Sequence, residues 1–278
     1  MTSALHQAAS LAGNLPGLLL EAQRAAEIVM RGQHGLRKAG AGEAFWQFRN
    51  WQPGDSSRDI DWRQTGRRDE VFVRQTERES AQVLWLFRDG SGSMNYKSKA
   101  GLHTKKDYAE ILLLALALLT QDAGEKAGLL GGEAVSQIHR ICEALPLQTH
   151  MTEAGGPVPS HSRVVMFSDF YFPVEELAAF CEKLALRRVE GLLVQVCDPV
   201  ELSFNFQGRV KFIDVETPDT TTIPRVESLH EAYAAKFQEH KAALEKSAAE
   251  WGWGFQACST DMPPEAALLS LYERLGVK

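Results

Sequence analysis

The chain has only four cysteines in 278 residues, Cys142, Cys181, Cys197 and Cys258, and no Cys-x-x-Cys pair. This excludes a zinc knuckle and offers no disulfide framework, so a reducing compartment is the simplest setting. Long apolar runs are also missing. The longest, Ile111 to Leu119, falls far below the roughly 20 residues a membrane helix requires. Near the amino terminus, the apolar stretch Leu15 to Leu20 is short, broken by Pro16 and not preceded by a basic start, which argues against a secretory signal. The expectation is a soluble, cytoplasmic protein with no membrane partner. Positive charge is not in excess either: a net charge of -6 and a pI near 5.8 argue against coating nucleic acid through bulk charge. A P-loop, a His-x-x-x-His pair and a Gly-x-Ser-x-Gly elbow are all absent, so nucleotide hydrolysis and serine-elbow chemistry find no support.

What is present is enough apolar residue, 44% of the chain, to bury a large core. Residues 4 to 31 are Ala- and Leu-rich at helical spacing, with interruptions at Gly13-Asn14 and Pro16-Gly17 that predict a broken or two-part helix. The texture then changes: Arg31 to Glu79 carries ten Lys/Arg, eight Asp/Glu and three of the six tryptophans, Trp46, Trp51 and Trp62. Glycines and Pro53-Gly54-Asp55 cut this stretch into short extended pieces ending in a predicted strand at Glu70 to Arg74. Its arginines and tryptophans could stack and contact a single strand of nucleic acid. The near balance of charge instead favours Arg49, Arg58, Arg63 and Arg67 pairing with Asp55, Asp59 and Asp61 as a structural clasp.

From Val83 onward strands and helices alternate. Predicted strands are Val83 to Phe87, Ala127 to Leu130, Ala134 to His139, Arg163 to Phe167, Gly191 to Cys197 and Val210 to Val215. Predicted helices are Asp107 to Gln121, Val174 to Arg187, Val226 to Glu250 and Pro264 to Leu275. This order implies an α/β fold with a doubly wound, mostly parallel sheet covered on both faces. The expected division is residues 1–80, an amino-terminal helix and small charged β-rich subdomain, and residues 81–278, the main domain.

Two strand ends carry the chemistry. Val83-Leu-Trp-Leu-Phe87 runs into Asp89-Gly-Ser91-Gly-Ser93, one carboxylate and two hydroxyls within five residues. Val164-Val-Met-Phe167 runs into Ser168-Asp169. In a doubly wound sheet, adjacent strands ending this way point their oxygens into one crevice. Such ligands suit a hard cation, Mg2+ or Ca2+. An ordinary Asp/Gly/Ser turn, or a helix cap at Asp169, would use the same residue types. The neighbouring Lys97, Lys99, Lys105 and Lys106 read as a solvated loop face that could attract an acidic partner.

Asp89-x-Ser91-x-Ser93 followed by Ser168-Asp169 resembles the metal-ion-dependent adhesion site of the von Willebrand factor A domain. Upstream, Gly42-Glu43-x-Phe45, Phe48-Arg49-x-x-x-Pro53-Gly54-Asp55, Arg58-x-Ile60-Asp61-Trp62-Arg63 and Val73-Arg74 resemble the signature of the bacterial family called domain of unknown function fifty-eight. The resemblance covers about residues 36 to 200. It implies an A-type domain that works beside a MoxR-type AAA+ ATPase as a chaperone-like pair, a non-enzymatic interaction module. It also implies metal ligation by Asp89, Ser91, Ser93, Asp169 and a threonine, with Mg2+, Ca2+ or Mn2+ as the ion and an acidic client or partner completing the coordination. Thr149 and Thr152 both lie between the two loops, and Thr149 is taken as the ligand. Arg88 stands where an apolar residue is more usual, and strand alternation should aim it away from Asp89. The runner-up functions are a metal-dependent phosphoester hydrolase and a nucleic-acid binder through the Arg/Trp segment.

Overall fold

The computed structural model describes residues 15–33, 45–51, 60, 62–66, 71–76, 83–148, 151, 158–213 and 219–275. They divide into two units, Gln33–Ala81 and the rest of the chain. In the smaller unit β1 (Phe45–Asn50) pairs antiparallel with β2 (Phe72–Thr76), with a register shift between Phe45 and Gln47. The Trp51 amide continues the ladder to the Val71 carbonyl at 2.8 Å. A helical turn at Trp62–Thr65 places the Thr65 hydroxyl to accept the Phe72 amide at 3.1 Å. The strand expected at Glu70 to Arg74 is therefore present two residues later. Most of the expected clasp, including Asp55, Arg58, Asp59, Asp61 and Arg67, lies outside the described residues.

The larger unit is a six-stranded, mostly parallel sheet with helices on both faces. Its strands are β3 (Val83–Arg88), β4 (Lys126–Leu129), β5 (Ala134–Val135), β6 (Arg163–Ser168), β7 (Glu190–Cys197) and, beyond a separate hairpin of β8 (Val210–Ile213) and β9 (Thr220–Ile223), β10 (Gly254–Ser259). The spatial order is β10-β7-β6-β3-β4-β5, and only the β4–β5 pairing is antiparallel. The chain leaves β3 toward β4 and β5, then returns to the other side of β3 for β6, β7 and β10. Direction reverses between β3 and β6, and that is where open α/β sheets present a crevice at the carboxyl ends of their strands.

Alternation along the central strands feeds two cores. Leu84 and Leu86 of β3, Val165 and Phe167 of β6, and Leu192, Val194 and Val196 of β7 enter one cluster. The residues between them, Trp85 and Phe87, Val164 and Met166, and Leu193, enter the other. Because the central residues of these strands are apolar on both faces, both faces must be covered. The first face is covered by α1 (Leu15–Gln33), α2 (Lys105–Asp122), α3 (Ile138–Ala144) and, from the chain's end, Ala267, Leu268 and Leu271 of the last helix. The second receives Leu177, Cys181 and Leu184 of α4 (Val174–Ala185). After the short α5 (Pro199–Ser203), α6 (His230–Glu250) adds Leu244 and Ala248 to that face, and α7 (Pro264–Leu275) is the last helix.

Helix α1 is placed differently from expectation. Leu18, Ala22, Ala25, Ala26 and Val29, spaced at helical period, belong to the core of the larger unit, so this helix goes with the main sheet and not with the charged segment. Pro16 does not split it, because in the first turn of a helix the missing N–H is not needed. The region Ala134 to His139 is only a two-residue strand before α3, and the strand expected at Val210 lies in the β8–β9 hairpin outside the main sheet. Among the described residues no helix is long and apolar enough to cross a membrane.

One glycine is required by close approach. A Cβ at Gly191 would sit 1.9 Å from the Trp253 ring, whose Nε1 donates to the Val189 carbonyl at 3.1 Å. The Trp253 indole thus lies flat over β7 in the space a side chain would take. Gly191→Ala is expected to cost about 1–3 kcal/mol through overpacking, seen as a lower urea midpoint with an unchanged slope. An unshifted midpoint would mean that the indole moves aside freely.

Candidate functional site

Three of the parallel strands end in the same way. The residue after β3 is Asp89, after β6 Asp169 and after β7 Asp198, all at most 1% exposed. In each case one carboxylate oxygen accepts the amide two residues on: Asp89 from Ser91 at 2.9 Å, Asp169 from Tyr171 at 3.2 Å, Asp198 from Val200 at 2.9 Å. This is the local turn that Asp favours. The second oxygen of each reaches sideways to a different partner. Asp89 accepts the Ser168 hydroxyl at 2.6 Å, Asp198 accepts the Ser98 amide at 2.8 Å, and Asp169 accepts the Lys105 ammonium at 2.8 Å.

The sequence-predicted residues Asp89, Ser91, Ser93 and Asp169 are therefore gathered at one end of β3 and β6. The Asp89 amide also donates to the Phe167 carbonyl at 2.9 Å, which ties the two loops together. The Ser91 and Ser93 hydroxyls lie 3.1 Å apart and hydrogen-bond to each other. Thr149 and Thr152 lie outside the described residues. Gln148, just before Thr149, is anchored beside the site: its Oε1 accepts the Arg88 amide at 3.0 Å.

Lys105 corrects the reading of the adjacent lysines as a solvated face. It is 1% exposed, and its ammonium bridges Asp169 and Glu201 Oε1 at 2.8 and 2.6 Å while standing 4.9 Å above the Tyr171 ring. Burial alone would push this ammonium down, but Asp169 and Glu201 outweigh it and hold it above its ordinary value. Burial pushes the Glu201 carboxyl up, and Lys105 offsets that only in part. Lys105 is raised by its two carboxylates, and Glu201 is raised by burial with a further push from the Asp169 charge. Lys105 is also the first residue of α2, where the helix dipole disfavours a cation. The carboxylates, not the helix, hold it there.

Asp198 and Glu201 were missed by sequence reasoning. The signal was the same as at Asp169: the apolar strand Leu192 to Cys197 runs directly into Asp198-Pro199, and Glu201 three residues on completes a capping box for α5. Thr260, the residue after β10, is fully buried and extends the polar row to a fourth strand. Beyond Tyr171 a groove of about 830 Å³ opens, walled by Phe204, Tyr233 and Phe237 with Lys236 and His240.

The Arg88 side chain has no ion pair with the Asp89 carboxylate, although one guanidinium nitrogen donates to the Asp89 backbone carbonyl at 3.4 Å. Its Nε lies 3.2 Å from Glu110 Oε1 on α2, an ion pair without hydrogen-bond alignment, and another guanidinium nitrogen donates to the Leu145 carbonyl at 2.7 Å. It therefore does not compete for the Asp89 carboxylate.

The donors agree in kind with a hard cation. Neighbouring ligands about 2.1 Å from an octahedral Mg2+ lie about 3 Å apart, and the two serine hydroxyls have that spacing at 3.1 Å. The charge arrangement does not agree, since Asp169 already has the Lys105 ammonium as a counterion. Among the described residues no group of three or more His, Cys, Asp and Glu could hold a metal ion. The serine side of the site fits the ion and the Asp169 side is closed to it.

Fold and site define a mixed α/β protein with a mostly parallel six-stranded sheet and an oxyacid-rich loop cluster at its switch point. Residues 47–142 match a family model described as "Protein of unknown function DUF58". The chain is similar to an uncharacterized protein of Mycobacterium tuberculosis and one of Mycobacterium bovis, each 24% identical over 274 residues, covering 90% of this chain and 85% of theirs. Among solved structures, it is similar to the conserved hypothetical protein BatB from Bacteroides thetaiotaomicron, at TM-score 0.42 and 12% identity, covering 71% of this chain and 100% of that one. An uncharacterized membrane spanning protein from Vibrio fischeri gives a TM-score of 0.20 at 13% identity, covering 69% of this chain and 96% of that one.

Removing Arg88 should expose how Glu110 is held. Burial already pushes the Glu110 carboxyl above its ordinary value, with Arg88 as the leading opposing influence. Arg88→Leu is expected to cost about 3–5 kcal/mol near neutral pH, because it leaves a buried charge unpaired. An acid raised further in the folded state contributes stability at low pH and loses it as pH rises. The deficit should therefore shrink as the pH is lowered toward about 5, measured by urea unfolding across pH. A deficit independent of pH would show that Glu110 is not the group left uncompensated.

Proposed function

We propose that the chain is a non-enzymatic protein-interaction adaptor built on a von Willebrand factor A-like domain, which engages a MoxR-type AAA+ ATPase or an acidic client through the Asp89–Ser91–Ser93 loop. The observation that carries this reading is the pair of hydroxyls at the switch point, 3.1 Å apart and bonded to each other instead of to a histidine base. Such a pair offers donors to a partner's carboxylate and has no activated nucleophile. The family match over residues 47–142 supports the reading by likeness. The aromatic groove beside Tyr171 supports it too, as apolar surface next to a charged recognition point. A bound Mg2+ would supply a Lewis-acidic centre with a replaceable water, held by Asp89, Ser91, Ser93 and a freed Asp169.

The test is co-elution of the full chain with a MoxR-type ATPase from the same genome. Ser91→Ala/Ser93→Ala removes both partners of one hydrogen bond, so stability should change by less than about 1 kcal/mol. Retention of the ATPase should nevertheless fall about tenfold or more, a difference of roughly 1.4 kcal/mol or above. Unchanged retention would reject the loop as the contact. Turnover of a generic phosphoester that is lost in Asp89→Asn would point instead to a hydrolase.

A further inference from the structure

We propose that the Lys105 ammonium and a divalent cation are alternative occupants of the Asp169 carboxylate, so that the cation site stays closed until Lys105 withdraws. This rests on the reading of Asp89, Ser91, Ser93 and Asp169 as cation ligands. Lys105 Nζ is 2.8 Å from Asp169 Oδ2, and the other oxygen of Asp169 already accepts the Tyr171 amide. Both oxygens are thus occupied. An ammonium at this distance brings positive charge to the atom a divalent ion would need, and in a buried setting that repulsion is poorly screened. Glu201 holds the lysine from the other side at 2.6 Å, and Glu201 is itself fixed by accepting the Asp198 amide at 2.8 Å. The lysine is therefore clamped between the residue that follows β6 and helix α5, which follows β7. The Ser91–Ser93 hydroxyls keep the spacing of adjacent ligands while the Asp169 carboxylate, on the loop after the neighbouring strand, is taken. The chain carries its own tethered cation where the resemblance to adhesion sites calls for one from solution.

The experiment is calorimetric titration of Mn2+ and Mg2+ into the full-length protein, wild type against Lys105→Met and Lys105→Arg. Lys105→Met is expected to bind Mn2+ at least about tenfold more tightly than the wild type, and Lys105→Arg, which keeps the charge, no more tightly. Adding Ser91→Ala/Ser93→Ala to Lys105→Met should abolish the gain. Equal affinity in wild type and Lys105→Met would overturn the competition and leave the cation site itself standing. A gain that survives loss of both serines would also overturn it, since the ion would then sit on the vacated carboxylates alone. Absence of binding in every variant would reject the cation site and the competition together. Should Lys105→Met not fold, Lys105→Met/Glu201→Gln replaces it. That variant removes one unpaired charge, and the Gln oxygen still accepts the Asp198 amide.

Discussion

The larger unit is organised by the need to bury carboxylates at the carboxyl edge of its sheet. Asp89, Asp169 and Asp198 follow directly on apolar strands and lie almost wholly out of water. An isolated buried carboxylate is too costly to stay ionised unless it is well bonded. The fold meets that cost with one repeated device: each aspartate takes the amide two residues ahead, then spends its free oxygen on a neighbouring element. The three sideways bonds run to a serine hydroxyl, a backbone amide and a lysine, and only the last brings a countercharge. Lys105 is therefore the charge balance of the edge as well as part of its geometry.

These bonds make the edge one connected structure. The loop after Ser93 is held at Ser98 by Asp198 and at Leu102, whose amide donates to the Thr260 carbonyl at 2.9 Å. Between them, Gly101 packs so tightly that a Cβ would lie 2.9 Å from both Asp198 Oδ2 and the Thr260 hydroxyl. The segment joining the serine pair to α2 is thus seated on the ends of β7 and β10, two and three strands away from its own. A partner that contacts the serines meets a loop held at both ends, and binding to a preorganised loop loses less entropy.

Much of this was legible in the sequence. Strands β3 and β6 hold continuous apolar runs and β7 one broken only by Gln195, and α7 matches its predicted limits, Pro264 to Leu275. Asp89, Ser91, Ser93 and Asp169 were readable because each stands at the end of such a run. Short or mixed segments were not. Ala134 to His139 has too few residues to separate strand from helix by period. β10, Gly-Phe-Gln-Ala-Cys-Ser, is an edge strand with only Cys258 buried, so it lacks the apolar density of its neighbours. Lys105 was hidden for another reason. It stands beside Lys106 and near Lys97 and Lys99, and nothing local distinguishes the lysine that is pulled inward by carboxylates 64 and 96 residues away.

The helix behind Lys105 sets how quickly the edge can change. α2 is buried at thirteen of its 18 positions and packs against the sheet along its length, so it has no room to shift by the one-turn steps or interface translations that slow switches use. Any rearrangement at Asp169 is left to a single four-carbon side chain turning about its own bonds. Exposed side chains make such hops in picoseconds to nanoseconds, but Lys105 is buried between two carboxylates and must first break from them. The slow step of any response then belongs to breaking two ion pairs and not to moving the scaffold.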